Sequence, residues 1–200
     1  MSTSAITRDR IIHAAETVFA DKGYHDTLVD EVVSATNLSK GGVYFHFPSK
    51  EPLFFAVLDR LASRLVSSAE DATGNHSSPI AKANAALISV LANLSKHKRL
   101  AKLLMLQGYS MGNSFEHKRI EIFERFSGVI ERHLRHAIDS GEVNDADPAV
   151  AARIWLGALN ELVIHWLYSG GAAPVASQQL LRRVLIGGLT DSNSHVLGTR

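Results

Sequence analysis

Ser39, Lys40, Gly41, Gly42, Tyr44, Phe45, His46 and Lys50 fall within twelve consecutive positions, and from Val32 to Lys50 there is no acid. A hydroxyl, two ammonium groups, a phenol and an imidazole supply donors to an anion, phosphate in particular. Ser39 stands where a helix can begin, and the unpaired N–H groups of a helix N-terminus attract phosphate. Lys40 can reach a phosphate or a guanine edge. Gly41 and Gly42 let the backbone approach whatever the helix touches. Tyr44 and His46 donate while offering ring faces, with Phe45 between them. Lys50 follows a second cap, Ser49. Thr27, at the start of the preceding helix, can meet a further phosphate.

These side chains need a scaffold, and apolar spacing supplies one. Ile11, Ala15, Val18 and Phe19 form a stripe at helical period over Thr7–Ala20, and Lys22-Gly23 provides a stop. Thr27 is placed to cap a short helix ending near Ala35, with Asp30 as its capping-box partner. Asn37 suits the left-handed corner of a tight turn. Ser39 caps a second short helix through Phe45, and Pro48 ends it. Two such helices cannot bury much alone. Packing both against the first helix, through Val29, Val32, Val33, Leu38, Val43 and Phe47, gives a helix-turn-helix.

The rest also reads as helix. A helix from Ser49 to about Ser68 precedes a polar stretch, Ser67 to Ser78, that is the best linker candidate. Helices follow over Pro79–Lys96, Leu100–Tyr109, Phe115–Ser140, Asp147–Ser169 and Ser177–Leu189, with a turn at Met111–Ser114 and a tail from Asp191 to Arg200. No segment alternates as a strand does. The expectation is an all-α protein of about nine helices, with a head over residues 1–50 and a larger helical body over 51–200.

Composition narrows the function. The 200 residues carry a net charge of only +1, so a nucleic-acid role must rest on local features. Residues 1–60 hold six Lys or Arg against eight Asp or Glu, nominally −2. There is no cysteine, hence no disulfide framework or thiolate metal site. No apolar run has the length of a membrane span, and the chain reads as cytoplasmic. An enzyme would have to use the histidines. Glu161 and His165 lie four apart, His133 and His136 three apart, and Glu116 adjoins His117, yet none forms a zinc-protease or di-iron spacing. The expectation is no catalytic residue, no metal and no cofactor. On spacing alone, two readings of Ser39–Lys50 stay open: a groove-reading helix, or a loop followed by core aromatics. In the second, the chain is a helical protein-interaction module, or a metal-dependent enzyme, without specific DNA binding.

The run L-S-K-G-G-V-Y-F-H-F-P-S-K-E-P-L, together with Ala14, Ala15, Phe19, Lys22-Gly23-Tyr24 and Thr27, resembles the signature of the TetR family of bacterial transcriptional regulators. It covers about the first quarter of the chain. The resemblance implies a homodimeric repressor whose paired heads read a near-palindromic duplex operator. It implies DNA contacts for Thr27, Ser39, Lys40, Gly41, Tyr44, His46 and Lys50. Asn37 stands where the family often has Gly. Gly42 stands where many members carry Thr, Ser or Ala, so one side-chain base contact is missing.

The resemblance also implies a homodimer through the last two helices. Leu180, Leu181, Val184, Leu185, Gly188 and Leu189 make a wide apolar stripe, and Gly157 and Ala158 allow close crossing. It further implies a small-molecule effector. Leu87, Leu91, Met105, Phe123, Phe126, Trp155 and Leu159 are the candidate lining residues, and their apolar character points to a lipophilic ligand.

Overall fold

In the computed structural model, residues 3–106 and 111–190 are described. Every long element among them is a helix: α1 (Thr3–Asp26), α2 (Val29–Thr36), α3 (Lys40–His46), α4 (Lys50–Thr73), α5 (Pro79–Lys96), α6 (Lys98–Met105), α7 (Asn113–Asp139), α8 (Pro148–Ser169) and α9 (Gln178–Thr190). A 3-10 turn, Pro174–Ser177, precedes α9. No described helix is long and apolar enough to cross a membrane. The expected end of the sixth helix at Tyr109 and the tail beyond Thr190 lie outside the described residues.

The chain divides into two compact units, one of residues 1–63 and 97–119, the other of 64–96 and 120–200. The first unit is built on α1. Its buried residues Ile11, Ala15 and Phe19 belong to the same interior as Val32 of α2, Val43 of α3 and Phe54 of α4. Phe54 stands edge-on to Phe19 at 5.1 Å. Residue 50, read above as a domain boundary, therefore lies inside this unit. Leu53, Phe54 and Val57 are fully buried there, so the start of α4 is part of the head's core. Arg60 of α4 grips the other end of α1, donating to the Asp9 carboxylate at 2.5 Å. Arg99 of α6 pairs with Asp21 of α1.

The second unit packs α5, α8 and the later parts of α4 and α7. Leu87 and Leu91 of α5, Leu134 of α7 and Val163 of α8 are fully buried, and Trp155 is nearly so. Asp147 caps α8, accepting from the N–H groups of Ala149 and Val150, and Pro148 follows as the first helical residue. The linker expected at residues 67–78 is mostly helix, since α4 continues to Thr73. Its polar residues have partners there. The Ser68 and Ser89 hydroxyls lie 3.0 Å apart, and the Asn93 amide donates to Ser68 Oγ at 3.0 Å. Ala69, next along α4, is buried. Only Gly74 to Ser78 remain as the connection to α5.

Candidate nucleic-acid interface

The approach to α2 begins at Gly23. Its φ of 83° and ψ of 177° interrupt α1, a conformation that side-chain-bearing residues avoid. The break swings Tyr24 under Phe54, with ring centroids 4.8 Å apart. Thr27 follows, fully buried, its hydroxyl donating to the Gly23 carbonyl at 2.6 Å. The phosphate contact expected of Thr27 is thus not open to its side chain, which instead ties the turn. Nor does Thr27 cap α2. That position falls to Leu28, whose N–H donates to Glu31 Oε2 at 3.0 Å. Glu31, and not Asp30, is therefore the capping acid. The same carboxylate pairs with Lys22, and these two partners, the lysine first, hold its pKa below the usual value.

α2 ends at Thr36, whose carbonyl accepts from the Arg10 guanidinium at 3.2 Å. Asn37 adopts φ 56° and ψ 29°, the left-handed corner that its side chain tolerates. Ser39 then caps α3, accepting from the Gly42 N–H at 3.1 Å. Val43 is fully buried and Phe47 nearly so, with the Arg8 guanidinium 5.0 Å above the Phe47 ring. These anchors fix which side of α3 faces out. Ser39, Lys40, Gly41 and Phe45 are exposed, and Gly42, Tyr44 and His46 are half-buried.

The cations around α3 are held by the protein itself. Lys40 Nζ lies 2.8 Å from Asp30 Oδ2 on α2 and 5.7 Å from the Tyr44 ring centroid. The hydrogen bond and charge of Asp30 raise the lysine's pKa. Lys50 Nζ donates to the His25 carbonyl at 3.0 Å and sits 4.6 Å from the Tyr24 ring centroid. Burial, then the charge of Glu51, raises the Tyr24 pKa. Spacing did not disclose Asp30 as the partner of Lys40. The pair is ten residues apart and depends on how the two short helices cross.

The seven candidate ligand residues do not share one unit. Leu87, Leu91, Phe123, Phe126, Trp155 and Leu159 belong to the second, whereas Met105 belongs to the first. All but Phe123 are buried. An open groove of about 580 Å³ elsewhere in the second unit, bordered by Asn84, Ser89, Gln179 and Arg182, involves none of them. The wide stripe read on the last helix splits. Leu181 and Leu185 are buried, while Leu180 and Val184 are exposed by 62% and 61%. On α8, Val150, Ile154 and Tyr168 are likewise exposed, and with Gly157, Glu161 and His165 they follow one helical face. Among the described residues no group of three or more His, Asp or Glu is arranged to hold a metal.

The family model "Bacterial regulatory proteins, tetR family" matches residues 11–57. YfiR of Bacillus subtilis (strain 168), an uncharacterized HTH-type transcriptional regulator, is 31% identical over 166 residues, 79% of this chain and 78% of its own. The HTH-type transcriptional regulator SrpR of Pseudomonas putida is 27% identical, covering 90% of this chain and 82% of its own. In three dimensions the chain is similar to the transcriptional regulator FadR from Bacillus subtilis, solved in complex with stearoyl-CoA. The TM-score is 0.80 at 21% identity, over 90% of this chain and 98% of that one, a likeness of fold. The chain belongs to the tetR family of bacterial regulatory proteins. It is a DNA-binding, helix-turn-helix regulator of transcription.

Proposed function

We propose that this regulator is a homodimeric repressor that reads a palindromic operator with α3 and leaves it when a small lipophilic effector binds. The observation that carries the proposal is the outer side of α3. It is acid-free, capped by Ser39, and fixed in direction by buried Val43 and Phe47. Ser39, Lys40, Gly41, Gly42, Tyr44, Phe45, His46 and Lys50 form the reading surface, within residues 1–50. The dimer face and effector site fall within 51–200. Its place of work is the cytoplasm, where the operator is.

The exposed apolar faces of α8 and α9 support dimerisation. Ile154, Leu180 and Val184 are each about three-fifths exposed, and a second copy would remove them from water. Two heads reading successive major grooves must stand about 34–36 Å apart. Effector binding among Leu87, Leu91, Phe123, Phe126, Trp155 and Leu159 would change that spacing through α4, one continuous helix whose first part belongs to the head's unit. The relative solved with stearoyl-CoA makes acyl thioesters the first effectors to try. An effector can lower operator affinity only by as much as it prefers the DNA-incompetent state.

The test is selection of the full-length protein against random duplex DNA at low salt, followed by binding assays on enriched sites. The expected result is a palindrome, bound with steep salt dependence and lost in Tyr44→Ala. No enrichment by a folded dimer would overturn the proposal.

A further inference from the structure

Phe45 is exposed by 82%, more than any other large hydrophobic side chain described in the structure. It lies on α3, whose seven residues, Lys-Gly-Gly-Val-Tyr-Phe-His, include no Arg, Asn, Gln, Asp or Glu. Of these, Arg, Asn and Gln read bases by paired hydrogen bonds, and Asp and Glu accept from the cytosine amino group. Two polar groups at the start of the helix have partners already. Ser39 Oγ accepts from the Gly42 N–H, and Lys40 is paired with Asp30 across the turn.

The glycines shape the space around Phe45. Gly41 precedes it by four residues, so the two share one side of the helix. A Cβ built on Gly41 would have no atom within 4 Å. The first turn of that side therefore presents bare backbone. A helical side chain leans toward the N-terminus, over the turn before it. The Phe45 ring accordingly projects over the low ground at Gly41, and the backbone there can approach base edges closely. The apolar feature that a duplex offers in its major groove is the thymine C5-methyl group.

We infer that Phe45 determines specificity by packing against a thymine methyl in each operator half-site, the close approach being permitted by Gly41. This rests on α3 being the reading helix, and it adds one feature that α3 reads: a methyl group recognised by shape and desolvation. A half-site then contains a T·A pair at one fixed position. Cytosine, which lacks the methyl, is rejected there together with uracil.

The experiment uses the full-length protein and the operator recovered by selection, with each thymine replaced in turn by deoxyuridine. That exchange removes one methyl and leaves every hydrogen-bonding group in place. Wild type is expected to lose about fourfold in affinity per half-site at one symmetric position, the worth of one buried methyl. Phe45→Ala is expected to unfold at the wild-type temperature, since the side chain is solvent-exposed, and to bind the thymine and uracil operators equally. Two results would overturn the inference while leaving operator binding intact. Either wild type is indifferent to uracil at every position, or Phe45→Ala keeps the full uracil penalty. Failure to recover any operator would remove the reading-helix assignment, and this inference with it.

Discussion

Replacing Gly23 by alanine tests how the head is held. Gly23 is buried at φ 83° and ψ 177°, a region where a β-carbon is strained whatever the surrounding space. Residues forced into such backbone regions cost of order 1–3 kcal/mol each. The strain has no outlet in solvent. The Gly23 carbonyl accepts the Thr27 hydroxyl, and the following residues carry the Tyr24 ring against Phe54 and the His25 carbonyl that holds Lys50. For a chain of this size each kcal/mol moves the midpoint by about 2–4 °C, so Gly23→Ala should melt roughly 2–12 °C below wild type. Thermal unfolding followed by circular dichroism measures this. Gly41→Ala is the control, because Gly41 is helical with open space around its Cβ position. It should hold the midpoint or raise it by up to about 2–4 °C, the equivalent of about 1 kcal/mol of helix propensity. If Gly23→Ala melts with wild type, the conformational break at Gly23 does not position α2, and the account of the head fails.

Three further outcomes are expected. Val184→Glu, at a position exposed by 61% on α9, should turn a dimer into a folded monomer by light scattering at micromolar concentration, with operator affinity lost in step. A variant that remains dimeric would place the interface elsewhere. Asp30→Asn should release Lys40, tightening DNA binding and steepening the log–log salt dependence by about one unit per head as each freed ammonium reaches a phosphate. An unchanged slope would mean that Lys40 does not meet phosphate. Acid should weaken the head through Glu31. Its folded pKa is depressed by Lys22 and the Leu28 N–H, so its stabilisation is complete above the ordinary carboxylate value of 4.5 and is lost as pH falls through the lower folded one. Glu31→Gln should flatten that part of the pH–stability curve, and a curve of unchanged steepness would assign the acid sensitivity to other groups.

Parts of the fold were legible because their determinants are local. The Asn37 corner, the Ser39 cap and the Asp147-Pro148 start each depend on a few consecutive residues, and all three stand as the spacing implied. The departures come from contacts between elements. Thr27 looks like a cap in sequence, yet burial turns its hydroxyl back to Gly23, and the cap shifts to a leucine served by Glu31. Ser67 to Thr73 look like a linker in composition, yet Ser68 finds Ser89 and Asn93 on α5, and the helix runs on. On α9, periodicity marks one broad apolar stripe and cannot separate Leu181 and Leu185, which face the chain's own core, from Leu180 and Val184, which do not.

The tethering of Lys40 to Asp30 and of Lys50 to the His25 carbonyl bears on how such a protein finds its target. Loose lysines would hold the head to any stretch of chromosome through counterion release alone. A genome offers millions of competing sites, so occupancy of the true one depends on the ratio between right and wrong sequences more than on grip. On the proposed function, a head that keeps its cations at home would dwell briefly on bulk DNA and stay in circulation. A modest number of molecules per cell would then suffice to keep one operator covered.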